Sequence, residues 1–226
     1  MIDGDFELYF AIKCCFFFFT KLHFLPSLFS IEIEEFGEIR DKMHWLNNSA
    51  ILNDEECLSL VEMTKSSNGK LLYRATQDGF TSLAFHSKCD NKANTITIIK
   101  NNLNYVFGGY TSVSWTSLGN YSSDSNAFIF NLRRNGVSKS DKFMIKNLQN
   151  EKHAINGNIN NGPTFGGGHD IYICNQSNAN FGSYAYFGHS YQLPNGCLFG
   201  TPNALNFLAG NYNQWLVYEI EVYQIN

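Results

Sequence analysis

The pattern of apolar and polar positions changes character twice along the chain. Leu8 to Phe19 read LYFAIKCCFFFF, and apolar residues continue patchily through Leu25 and Phe29. From Ile31 the texture becomes mixed. Ile31, Ile33, Phe36, Ile39, Met43 and Leu46 alternate irregularly with Glu32, Glu34, Glu35, Glu38, Arg40, Asp41 and Lys42, which fits a short amphipathic helix entered from an extended lead. The next start is sharper. Asn53 precedes Asp54, Glu55 and Glu56, placing a capping oxygen and a glutamate three residues on, with carboxylates in the positive first turn of a helix. Cys57, Leu58, Leu60, Val61 and Thr64 supply its apolar face, and Ser66 to Gly69 end it.

Beyond Lys70 the period switches to two. Short β-branched and aromatic runs recur at Leu71–Arg74, Thr95–Lys100, Tyr105–Tyr110, Ala127–Leu132, Lys142–Lys146, Asp170–Cys174 and Trp215–Tyr223, with no long helical pattern between them. That excludes a parallel α/β sheet and predicts a mainly β protein, a two-sheet antiparallel β-sandwich flanked by short helices. Asn101 to Asn104 read as a hairpin loop, because Asn tolerates left-handed turns. The segment between Asp78 and Asp90 predicts a short helix with Phe80, Leu83 and Ala84 inward. In the last strand one set of alternating residues is apolar and the other carries Glu219 and Glu221. Three regions follow: a Phe-rich extension at 1–30, flanking helices at 31–69 and the sandwich at 70–226.

Composition agrees and narrows the partners. Hydrophobic residues make up 44% and charged residues 16%, enough apolar material for a folded core and too much for global disorder. The net charge of −4 lacks the basic excess that draws a domain to phosphate backbones, so no nucleic-acid partner is expected. The Phe-rich run is too short to cross a bilayer before Lys21, His23 and Pro26 intervene. Asp3, Asp5 and Glu7 replace the positive start of a signal peptide, and no A-x-A follows. An atypical signal, an element packed on the core, and an extension that does not fold with the domain remain the three readings of this start. Six cysteines, at 14, 15, 57, 89, 174 and 197, are spread without a CxxC pair, as expected of reduced thiols in a cytoplasmic protein. Sequons at Asn47, Asn120 and Asn175 would matter only after secretion.

Catalytic patterns are sparse. There is no GxGxxG or phosphate-binding GxxxxGK[ST], and the run Gly166, Gly167, Gly168 reads as a place where backbones approach or a sheet bends. His86 and Cys89 have H-x-x-C spacing without the second pair that a closed zinc site needs. His169 beside Asp170 invites a triad, yet adjacent strand residues point to opposite faces and no G-x-S-x-G elbow is present. The polar run Asn156–Gly162 lacks calcium-binding carboxylates and reads as a solvated loop. No cofactor or metal is expected.

One resemblance covers most of the chain. LLYRATQDGF at 71–80, FHSKCDNK at 85–92, VFGGYTSVSW at 106–115, AFIFNL at 127–132, GPTFGGGHDIYI at 162–173, FGHSY at 187–191 and YEIEVYQI at 218–225 resemble, in order, the motifs of the TLDc family. The resemblance implies an antiparallel sandwich without an agreed catalytic apparatus. It also implies protection from oxidative damage and regulation of the vacuolar proton-pumping ATPase through protein contacts, with membrane association only indirect. The family motifs carry over as Arg74, Asp78, Gly79, Gly109, Trp115, Gly166, Gly167, Gly168 and Glu221. The glycines are expected at bends and close approaches, Trp115 in the core or at an exposed contact, and Arg74 in a local charge-assisted bond to Asp78. The leading expectation is a non-catalytic interaction module. A carbohydrate or small-ligand site on Tyr184, Tyr186, His189 and Tyr191 is the alternative. A thiol scavenger acting through Cys89, Cys174 or Cys197 is a third reading.

Overall fold

A computed structural model describes residues 42–226. The Phe-rich run and most of the amphipathic segment after Ile31 lie outside them. Among the described residues, ten strands form two antiparallel sheets. The larger has the order β1 (Gly69–Arg74), β10 (Val217–Ile225), β2 (Thr95–Asn101), β3 (Val106–Thr111), β5 (Phe128–Arg134), β6 (Val137–Met144). The smaller has the order β4 (Leu118–Ser122), β7 (Ile155–Asn158), β8 (Thr164–Phe165), β9 (Ile171–Tyr172). This is the mainly β, two-sheet architecture that the period-two runs predict. No helix among the described residues is long and apolar enough to cross a membrane.

The large sheet buries both faces. Its inner face meets the small sheet through Ile99, Phe107, Ile129, Phe165, Ile171 and the fully buried Trp115 and Trp215. Its outer face packs Ile96, Ile98, Phe128, Phe130, Tyr223 and Ile225 beneath a cover built by the 3-10 turn His44–Leu46 and helix α1 (Asp54–Thr64). Each fully buried apolar side chain contributes roughly 1.5–3 kcal/mol, so a cover carrying Leu46, Ile51 and Leu60 is a substantial part of the fold. The α1 start follows the sequence pattern: the Asn53 side chain accepts from the Glu56 N–H at 2.9 Å and the Glu56 carboxylate accepts from the Asn53 N–H at 3.1 Å.

Several sequence expectations need correction. Three strands, β4, β7 and β8, lie where no alternation predicts them, and the supposed solvated loop at Asn156–Gly162 begins as β7 with Asn156 and Gly157 buried. Strand β6 starts at Val137, earlier than its apolar residues indicate. Helix α3 (Ser82–Cys89), preceded by the single turn α2 (Ala75–Asp78), forms as predicted. Leu83 nevertheless points outward at 65% exposure, and Phe85 takes the buried position. In β10 the register shifts between Val217 and Glu219. The bulge lets Val217 join Ile220 and Val222 in the inter-sheet core, while Tyr223 and Ile225 face the helical cover.

Candidate functional site

The family-motif residues fall into three places. The first is the junction of β1, β10 and the outer cover. Arg74 stands directly opposite Glu221 in the β1–β10 register. Its Nε and Nη2 reach Glu221 Oε1 at 2.8 and 2.6 Å, and Nη2 also donates to the Asn48 carbonyl. The predicted Arg74–Asp78 side-chain bond is therefore replaced, because cross-strand pairing puts Glu221 within reach first. Asp78 instead accepts the Arg74 backbone N–H at 3.0 Å and pairs with Lys88 at 2.7 Å. Partial burial opposes ionisation of Asp78, but these two donors outweigh it and hold its pKa below the ordinary carboxylate value. Gly79 follows, its carbonyl accepting the Tyr73 hydroxyl at 2.7 Å.

Glu221 is fully buried and collects further donors. Ser49 Oγ (2.6 Å) and Tyr223 OH (3.1 Å) donate to Oε2, and the Ala50 N–H (2.8 Å) donates to Oε1. Burial, and then the Glu221 charge, push the pKa of the Tyr223 hydroxyl up, keeping it a donor. A second buried carboxylate repeats the design: Arg133 of β5 grips Glu56 with Nε on Oε1 (2.7 Å) and Nη2 on Oε2 (2.6 Å). Arg133–Glu56 thus rivets the outer cover to the large sheet, while Arg74–Glu221 joins two strands of that sheet and Glu221 holds the cover through Ser49 and Ala50. Neither carboxylate is left with open space for a substrate.

The second place is the inter-sheet core. Trp115 is completely buried, donates its indole N–H to Thr95 Oγ1 at 2.9 Å and lies edge-on to Phe85 and Phe165. Of its two expected roles, it fills the core one. Gly109 faces the same packing: a Cβ there would lie 2.6 Å from the Phe165 ring.

The third place is the turn joining β8 to β9. Asp170 turns inward, wholly buried, and receives the backbone N–H groups of Gly188 (2.8 Å), His189 (3.0 Å) and Tyr191 (3.4 Å) on Oδ1 and of Ser190 (2.9 Å) on Oδ2. Burial pushes its pKa up to about 6, with the amide donors working in the other direction. Gly166 has φ +86°, and a Cβ there would sit 2.0 Å from Asp170 Oδ2, so this approach requires glycine twice over. The Gly167 N–H donates to Ser190 Oγ at 2.8 Å, and Gly168 completes the turn against the His189 side chain.

On the outer side of this turn, rings gather. His169, at φ +59°, stacks on Tyr172 (centroids 5.2 Å apart), and Tyr172 stacks on Tyr184 (4.8 Å). Tyr212 bridges Tyr184 and Tyr186, and Phe199 touches both Tyr186 (5.1 Å) and His189 (6.1 Å). On the other flank Tyr121 of β4 lies edge-on to His153 (5.0 Å), and its hydroxyl donates to the Gly167 carbonyl at 3.0 Å. Burial, and then His189, lower the pKa of His169, while burial and neighbouring tyrosines push Tyr184 up to about 12. The Tyr184 hydroxyl is therefore the donor in its short bond to His169 Nδ1, leaving the Nε2 side towards Tyr121 OH at 3.5 Å. Tyr121, His153, His189 and Phe199 are exposed along this surface. Of the four residues expected to form a sugar platform, Tyr184, Tyr186 and His189 reach it. Tyr191 does not: it is fully buried with its hydroxyl on the Ala154 carbonyl at 2.8 Å.

Sequence reasoning missed Tyr121, His153, Tyr212 and Phe199, which come from segments with no regular alternation, and Tyr172, which lies in the predicted Asp170–Cys174 strand and gave no sign of its ring partners. Other candidates are absorbed by structure. His86 bonds to Asp90 (2.7 Å) and faces the carbonyls of Asn158 and Asn161, turning away from any role with Cys89. No group of three or more His, Cys, Asp or Glu able to hold a metal occurs among the described residues. Burial pushes the pKa of Cys57 up to about 12 and that of Cys89 up as well, which keeps both as thiols.

No curated protein matches the chain. A family profile of the TLDc domain matches residues 45–226, most of the chain, beginning inside the outer cover and running to the last residue. The chain belongs to the TLDc domain family.

Proposed function

We propose that the protein is a non-catalytic docking module of the cytoplasm that regulates the vacuolar proton-pumping ATPase by direct contact, with protection from oxidative damage as the outcome. The family membership supports the pathway. The observation that carries the docking reading is the set of exposed rings on the two flanks of the Asp170-pinned turn, the Tyr121–His153 pair and the His189–Phe199 pair, backed by half-buried rings. Aromatic side chains exposed on a rigid base are the usual anchors of protein interfaces. The buried carboxylates, by contrast, are saturated with donors.

Co-purification of the full chain with the peripheral sector of the vacuolar ATPase tests this. The expected result is a complex whose ATP hydrolysis rate differs from that of the free sector. A sector that neither binds the chain nor changes its turnover would refute the proposal. One observation favours a carbohydrate ligand as a second reading: the stacked Tyr172 and Tyr184 rings, inclined at only 25°, are half-buried on the same surface. A glycan array without binding removes it.

A further inference from the structure

Asp170 ties together the two segments from which the exposed rings hang. Its four bonds gather the N–H groups of residues 188–191, and His189 of that segment lies against Phe199. Its Oδ2 is crowded by Gly166, where a Cβ would stand 2.0 Å away, and the adjoining Gly167 is held by Ser190 Oγ on its N–H and by the Tyr121 hydroxyl on its carbonyl. All four groups bonded to the carboxylate are donors. Such a shell suits the ionised form, which only accepts, and the charge strengthens each bond. A protonated carboxyl must place a hydrogen on one oxygen, where it meets three amides at Oδ1, or the Ser190 amide and the crowding Gly166 at Oδ2. Fewer bonds are lost at Oδ2. The Ser190 N–H is then the group displaced, and Ser190 also holds the Gly167 N–H through Oγ and the Lys146 N–H through its carbonyl (3.0 Å), so the displacement reaches both flanks.

We propose that one proton on Asp170 switches the ring-lined surface from a fastened form that docks to a loosened form that does not, so that acidification releases the partner. The inference rests on the docking reading above and names its regulation. Burial raises the Asp170 pKa to about 6 against the pull of the amides, which leaves the carboxylate ionised at neutral pH and protonated on mild acidification. The titratable groups around it are engaged elsewhere. The His169 ring bonds to the Tyr184 hydroxyl, the His189 ring lies against Gly168 with Nδ1 3.3 Å from Ser190 Oγ, and the His153 side chain backs Gly167. The Tyr191 hydroxyl bonds to the Ala154 carbonyl, and burial, then the charges of Asp170 and Asp124, push its pKa up. Asp124 accepts from Thr111 and Ser112, and the Lys146 ammonium donates to the Gly188 carbonyl. Among the described residues none of them forms an ion pair with Asp170, so its charge is matched by backbone amides.

The test uses the full chain in two measurements. In isotopically labelled protein, the Asp170 Cγ resonance and the amide resonances of Gly167 and residues 188–191 are followed by NMR from about pH 7.5 down to about pH 5. They should move together with one midpoint, the Ser190 amide furthest, and the same amides should stay still in Asp170→Asn. Amides that do not move, or that move while the Asp170 Cγ resonance is constant, overturn the switch; the second result would assign the change to the histidines. In the other measurement the peripheral sector of the vacuolar ATPase is titrated with the chain. Binding should be about fourfold weaker at about pH 5.5 than at about pH 7.5, because only about a quarter of the molecules remain ionised at the lower value. Asp170→Asn, checked for a cooperative unfolding transition, should bind at the weaker level at both. Equal affinity of the parent at the two pH values overturns the switch, and if the variant does not fold, the parent's titrations still decide. The NMR titration contains no ATPase, so coupled movement of Asp170 and its amides beside a sector that binds at neither pH would sink the docking reading and leave the proton-driven loosening standing.

Discussion

The outer cover and the ring-lined end of the small sheet solve one problem in opposite ways. Both bury carboxylates. At the cover, Glu221 and Glu56 are neutralised by Arg74 and Arg133, full countercharges brought in from neighbouring strands. At the small-sheet end, Asp170 forms no ion pair among the described residues and is held by the N–H groups of residues 188–191. Countercharge makes a rivet, between cover and sheet at Glu56 and between adjacent strands at Glu221. Amides make a cradle that shapes a single loop, and that loop carries the exposed rings. The contrast separates a region whose polar groups serve stability from one whose surface is free for contact.

Breaking a rivet should have the largest effect. Glu221→Ala leaves the Arg74 guanidinium, the Ser49 hydroxyl and the Tyr223 hydroxyl without their acceptor, and removal of one partner of a buried pair costs about 3–5 kcal/mol. Urea unfolding should show that loss, and a change below about 1 kcal/mol would mean that the pair is not structural. Gly166→Ala comes next. It strains a left-handed backbone and displaces a buried carboxylate, for an expected loss of about 2–3 kcal/mol. A Gly166→Ala protein as stable as the parent would remove the cradle from the account.

The cradle also sharpens the comparison through pH. The folded-state pKa of Asp170, at about 6, lies above its unfolded value, so the folded protein takes up the proton first. Its contribution to stability is therefore fully present below about pH 4 and is lost as pH rises through 6, a difference on the order of 3 kcal/mol. Unfolding curves of the parent and Asp170→Asn between pH 4 and 7 should diverge, the parent gaining relative to the variant on acidification. A parent that loses ground to the variant over that range would contradict the assigned direction. At the surface, Phe199→Ala should change stability by less than about 0.5 kcal/mol, since the ring is 46% exposed, while weakening ATPase binding. Unchanged binding would move the contact surface elsewhere.

How far the sequence revealed this division follows from where its signals are local. The capping box at Asn53–Glu56 and the alternation in β2, β3, β5 and β10 depend on neighbours in the chain, and they are readable. Strands β7 and β8 are short, and β7 is rich in Asn and Gly, so tertiary pairing rather than propensity makes them strands. The Arg74–Glu221 pair joins residues 147 positions apart, and two carboxylates, Glu219 and Glu221, on an otherwise largely apolar strand are the local trace it leaves. The Asp170 cradle leaves none, because its partners are backbone amides 18 to 21 residues downstream. Tyr191 looks like its neighbours in sequence and differs only by ending under the core.

Hydrogen–deuterium exchange of the full chain, free and bound to the peripheral sector of the vacuolar ATPase, tests the central division most directly. The account predicts new protection over residues 118–122, 166–169, 184–189 and 198–199, with the exchange of residues 44–64 unchanged. Protection confined to the outer cover, with none at the ring-lined end, would contradict it.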